Sequence, residues 1–146
     1  MFELGGSADL FEEVKKAMVE YCNEPNSRLF LFLVFSLNHL REWIAGNSAR
    51  AIQKKVEEGE GLTREESFAR GLWEMEEFRV VNLLCNKSKH ISVRLPHKLT
   101  SSRGLHVGGW CSDSLDQLYY EIDGVDSREV FLAVIKKYND WFLVNN

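Results

Sequence analysis

From Leu29 to Leu37 the chain reads Leu-Phe-Leu-Phe-Leu-Val-Phe-Ser-Leu, apolar on every side except at Ser36. A helix with apolar side chains all round must sit in the middle of a fold, because no face of it belongs in water. The run is too short to span a bilayer and passes directly into Asn38, His39 and Arg41. Residues 27 to 45 are therefore expected to form the central helix, stopping at Gly46-Asn47, a pair that favours helix termination.

The neighbouring segments supply partners for it. Asp9 followed by Glu12 has capping-box spacing, and Leu10, Val14, Met18 and Tyr21 repeat at helical intervals, which predicts a helix over 9–22. Asn23 to Asn26 forms a turn around Pro25. A shorter helix over 48–58 keeps Ala51, Ile52 and Val56 inward. Thr63 and Glu66 make a second capping box, opening one long helix to about Lys89. After His90, Ile91, Val93 and Leu95 alternate with Ser92 and Arg94 up to Pro96, the pattern of a strand. Residues 105–107 and 118–122 are further strand candidates, the latter placing Tyr120 in the core. Asp126 and Glu129 open a last helix carrying Val130, Val134, Tyr138, Trp141 and Phe142. The expected fold is α+β and mostly helical, a helical bundle with a small antiparallel β-sheet inserted before the C-terminal helix. At 146 residues it reads as a single domain over 1–146, with a helical core over 9–90 and 126–143 and a β insertion over 91–123.

Composition excludes several classes. With 45% hydrophobic and 27% charged residues, the chain has the balance of a soluble globular protein. Three cysteines, Cys22, Cys85 and Cys111, are odd in number and lack CxxC spacing, which argues against a disulfide scaffold or zinc ribbon. Met1 to Gly6 lacks a basic stretch followed by an apolar one, so no secretory leader is expected and a reducing cytoplasm is the expected location. His90, His97, His106, Cys111 and Asp113 fit no metal-ligand template, and no phosphate-binding glycine loop or nucleophile elbow is present. No metal, no cofactor and no membrane partner is expected.

Charge is segregated. No Asp or Glu occurs between Glu77 and Asp113, while that window holds Arg79, Lys87, Lys89, Arg94, Lys98 and Arg103 together with His90, His97 and His106. The rest of the chain keeps 12 basic against 22 acidic residues, a net charge of −10 outside the window. Such a distribution suits a local site for a negatively charged partner. At about 100° per residue, Arg79, Asn82, Asn86 and His90 fall within about 80° of one another on a helical wheel. Polar groups on an otherwise apolar helix need hydrogen-bond partners, a cleft or a ligand. His90 has the chemistry to move a proton, Asn86 to hold a phosphate or orient an imidazole, and Lys87 and Lys89 to counter phosphate charge. The same residues would equally serve as a helix C-terminal cap with a solvated end. Arg41, on a helix packed antiparallel to the long one, is expected near Asn82 or Asn86.

Cys85-Asn86-Lys87-Ser88-Lys89-His90 resembles the signature of HEPN domains, compact helical bundles found in RNA-targeting toxins, defence systems and nucleotide-binding partners. That signature has an Arg four to six residues before a His, often with Asn directly after the Arg. Here Asn86 and His90 match, and Cys85 stands where the Arg is expected. The resemblance covers the helical residues 9 to 90 and the last helix. It implies a metal-independent ribonuclease chemistry in which Arg steadies the phosphate and His assists catalysis. A thiol does not replace a guanidinium. Arg79 lies about 16 Å along the helix from His90, so an Arg would have to come from a second copy of the chain.

The sequence thus supports first a small binding module that recognises an anionic partner, RNA or a nucleotide, through residues 86 to 106 and without robust catalysis. The candidate ligand-binding residues are Lys87, Lys89, Arg94, Arg79 and Arg41, with Asn86 and His90 as candidate catalytic groups. Two alternatives stand beside it: a dimeric HEPN-type ribonuclease or toxin, and a protein-interaction module with no ligand.

Overall fold

A computed structural model describes residues 4–90, 94–104 and 108–145. Helix α1 (Ser7–Asn23) is followed by α2 (Ser27–Ala45), α3 (Ala49–Glu57), α4 (Arg64–Gly71) and α5 (Glu76–Lys89). Strands β1 (Leu99–Arg103), β2 (Leu118–Ile122) and β3 (Val125–Asp126) then precede α6 (Ser127–Val144). The architecture is the expected one, mostly helical with a small antiparallel sheet before the last helix.

Helix α2 is central, touching α1, α4, α5 and α6. Its Leu33, Val34, Leu37 and Leu40 are completely buried, and each such side chain contributes about 1.5–3 kcal/mol relative to exposure. The Asn26 side chain accepts from the Leu29 amide at 2.9 Å, capping the start. Gly46 closes the end in the left-handed region at φ 66°, a conformation that costs other residues more. Buried Tyr138 of α6 donates its hydroxyl hydrogen to the Leu37 carbonyl at 2.7 Å. Tyr21 of α1 and Ser127 at the start of α6 share a hydroxyl hydrogen bond of 2.6 Å.

Several local expectations need correction. Helix α1 begins at Ser7, two residues before the expected cap, so Asp9 lies in its first turn and accepts from the Gly5 amide at 2.9 Å. Glu12 pairs with Lys15 instead of closing a capping box. The long helix expected over 63–89 is two helices. After α4 the chain makes a 3-10 turn over Leu72–Glu74, and Met75 is extended at φ −83° and ψ 125° before α5 starts. The Arg79 guanidinium donates to the Trp73 carbonyl across this break at 2.6 Å, satisfying a carbonyl that a continuous helix would have bonded itself. The Thr63–Glu66 capping box forms as expected.

In the sheet, order β1-β2-β3, Leu99 pairs with Ile122, Ser101 with Tyr120 and Arg103 with Leu118. Among the described residues the first strand occupies 99–103. Arg94 and Leu95 lie outside any strand, and 91–93 lie outside the described residues, as does the strand expected over 105–107. β2 and β3 join through Asp123-Gly124, both with positive φ, 53° and 78°, the geometry that suits a two-residue hairpin. The buried tyrosine of β2 is Tyr119, 3% exposed, whereas Tyr120 is half-buried against Tyr21 and Phe30. Tyr120 and Ile122 share the face that packs on the hydrophobic core, as the alternation predicts, and Tyr119 is buried on the opposite face against Asp113.

Candidate functional site

Helices α2 and α5 run antiparallel and meet through a chain of polar side chains. Asn86 Nδ2 donates to Asn82 Oδ1 at 3.3 Å, and Asn82 Nδ2 to Asn38 Oδ1 at 2.8 Å. Asn38, 4% exposed, donates in turn to Cys85 Sγ at 3.4 Å. The polar stripe of α5 is therefore partly consumed in packing against α2. At its open end, Lys89 Nζ lies 2.7 Å from His39 Nε2. Burial, and then the Lys89 ammonium, hold the His39 pKa below its ordinary value. The ring is thus neutral, with Nε2 accepting from Lys89 and the ring proton on Nδ1.

Each candidate residue has a definite place. His90 is exposed and ends α5, its amide bonded to the Asn86 carbonyl at 2.9 Å. The Asn86 side chain turns to Asn82, so Asn86 and His90 are joined through a backbone hydrogen bond. Cys85 is fully buried, and burial raises its pKa, leaving a protonated thiol where the signature has a permanent cation. Lys87 is half-buried; Lys89 and Arg94 are exposed, with no carboxylate partner for either among the described residues. Arg79 is bound to the Trp73 carbonyl and stands apart from this end. Arg41 does not reach the asparagines. It is 4% exposed and packs on Trp73 and Phe78, with centroid distances of 4.8 and 5.3 Å.

The acid-free window loses part of its charge on folding. His97 Nδ1 meets Asp123 at 2.6 Å, and Arg103 lies 3.6 Å from Asp116. Carboxylates from outside the window thus return to its right half, while Lys87, Lys89 and Arg94 lie at the end of α5 and in the segment that follows. Beside them, Phe32, Phe35, His39 and Trp43 fall within about 80° on the α2 wheel. Phe32 is 39% and Trp43 45% exposed. Within this chain the Trp43 ring lies open.

Sequence reasoning missed the most tightly built polar cluster. Arg128, 1% exposed, donates to Asp113 at 2.7 and 2.9 Å and to Asp126 at 2.9 and 2.7 Å. Its guanidinium stacks 3.8 Å from the Trp110 ring, and Tyr119 also donates to Asp113, at 2.7 Å. Burial disfavours the Arg128 charge, but the two carboxylates more than offset it and raise its pKa. The Arg128 hydrogen bonds hold the Asp113 carboxyl far below the usual range. Every polar group here is satisfied within the cluster, so its role is to pin the segment around Trp110 onto α6. The only local sequence signal was Asp126 two residues before Arg128 at a helix start.

Among the described residues no three His, Cys, Asp or Glu side chains gather to hold a metal ion, and no helix is long and apolar enough to cross a membrane. Comparison with protein-family models, with curated proteins and with solved structures gives no match.

Proposed function

We propose that the chain is a binding module for an anionic partner, single-stranded RNA or a nucleotide, engaged at the C-terminal end of α5 and the adjoining stripe of α2. The observation that carries this reading is the juxtaposition of Lys89 on neutral His39 with two exposed aromatic rings on the same helical stripe. Bases stack on such rings whatever their sequence, while cations follow the phosphates. Lys87 and Arg94 extend the positive region. The residual dipole at a helix C-terminus disfavours anions there, so the side-chain cations must supply the attraction.

Labelled single-stranded RNA titrated at low salt tests this directly. Binding is expected, quenching Trp43 and weakening in Trp43→Ala and in the combined Lys87→Ala, Lys89→Ala, Arg94→Ala variant. Indifference of the wild-type chain to RNA and to nucleotides would sink the proposal. The same samples test the ribonuclease alternative, for which cleavage abolished by His90→Ala is the required result. A dimer in sedimentation without RNA binding would favour the protein-interaction alternative, with Phe32 and Trp43 as its contacts.

A further inference from the structure

Arg41 follows His39 by two residues, about 200° around the α2 wheel, and so faces away from the surface just described. Its Nε and Nη1, which together carry three of the five N–H donors of a guanidinium, are buried without a hydrogen-bond partner. Its one carboxylate neighbour among the described residues, Glu42, approaches Nη2 at 3.6 Å and leaves those donors unmet. An unpaired buried guanidinium nitrogen is costly and rare. Arg41 lines a recess of about 50 Å3 together with Gln53, Arg70 and Trp73. Those three also line a larger cavity of about 480 Å3, with Leu62, Ser67, Gly71 and Glu74 as the rest of its wall. The small space is thus the inner end of a cleft between α3, α4 and α2, within the size range of small-molecule sites.

We propose that this cleft binds a small organic anion, its carboxylate or phosphate group bonded to Arg41 and Arg70 and its body lying in the outer cavity along Trp73. The buried Arg41 guanidinium at the inner end, with the exposed Arg70 lining both spaces, suits the planar or tetrahedral oxygens of such a group. Gln53 and Ser67 provide neutral hydrogen-bonding groups at the wall. Glu74 bears the opposite charge, which excludes a second anionic group at the cavity wall and favours a body that is neutral or carries a donor. Gly71 lines the cavity with open space where a Cβ would stand. The site is independent of the RNA reading, since no residue is shared between the two.

The experiment follows the Arg41 Nε–H and Trp73 indole N–H resonances of the whole chain during titration with benzoate, phenyl phosphate and inorganic phosphate. Saturable shifts of both resonances with benzoate or phenyl phosphate, at a Kd of about 1 mM or tighter, are expected. Arg70→Ala should weaken binding about tenfold, the worth of one charge-assisted hydrogen bond. The combined Lys87, Lys89 and Arg94 variant should bind these anions as the wild type does. Preference between benzoate and phenyl phosphate identifies the acid group. Arg41→Lys tests the inner position, and Arg70→Ala and Gln53→Ala, at exposed positions, keep the test decisive if Arg41→Lys fails to fold. No saturable shift would show that water alone fills the recess and overturn the proposal, as would binding unaffected by Arg70→Ala and Gln53→Ala.

Discussion

Arg128 and Asn38 show how single side chains commit this fold. With one carboxylate removed, Arg128 would keep its burial and lose half its charge compensation. Asp113→Ala should therefore destabilise the chain by about 3 kcal/mol in chemical denaturation, the low end for a broken buried pair because Asp126 remains. The asparagine chain between α2 and α5 behaves differently, since both partners are neutral. Asn82→Ala leaves Asn38 Oδ1 without the donor it has at 2.8 Å, a loss of about 1–3 kcal/mol. Asn38→Leu and Asn82→Leu together should cost less than the two singly, with a coupling of about 0.5–3 kcal/mol in a double-mutant cycle. Strict additivity would show that the pair is solvated. Of these residues the sequence exposed Asn82, as part of a polar stripe. It could not expose Arg128, whose partner Asp113 lies 15 positions away across a loop.

Legibility differed from element to element for physical reasons. α1, α2, α3 and α6 were readable to within two residues because each has an apolar face at helical spacing. The break at Met75 was invisible, since Met and Glu are good helix formers and the Arg79 bond to the Trp73 carbonyl that spans it leaves no sequence signal. β1, Leu-Thr-Ser-Ser-Arg, is an exposed edge strand with no apolar alternation to betray it. Asp123-Gly124 is a two-residue hairpin signal legible in the sequence. At the start of α4, Glu66 accepts from the Thr63 amide and pairs with Lys55 at 3.0 Å, and with the Asn47 amide these hold its pKa down from 4.5 to about 2. A depressed carboxyl pKa stabilises the fold above pH 4.5 and the gain disappears as pH falls toward 2. Glu66→Gln, which keeps the cap but not the charge, should flatten the stability profile between those values in pH-dependent melts. Gly71→Ala, at helical φ −63° and ψ −24° with nothing within 4 Å of the added Cβ, should stabilise by about 0.4–1 kcal/mol. In a chain of this size that raises Tm by about 1–4 °C. If the Arg41 cleft binds a ligand, the same methyl should weaken it, so a glycine kept at a stability cost and a ligand site are one prediction read in two ways.

At the scale of the molecule, the question is what becomes of the charge separation written along the chain. Its formal net charge is −4, and folding carries Asp116 and Asp123 back onto the right half of the acid-free window. On the proposed surface the cations are Lys87 and Lys89 at the end of α5 and Arg94 after it. This limits the number of phosphates that can be engaged at once. With Lys87, Lys89 and Arg94 each displacing counterions from a single strand, log K should fall against log salt with a slope of about −2. Stacking on Trp43 and Phe32 is insensitive to salt, so Trp43→Ala should lower affinity by about 1–3 kcal/mol while leaving that slope unchanged. The combined cation variant should do the reverse, flattening the slope toward zero with the stacking term intact. A slope steeper than about −4 would mean that phosphates contact more cations than this end of the helix bundle holds, and the binding surface would have to lie elsewhere.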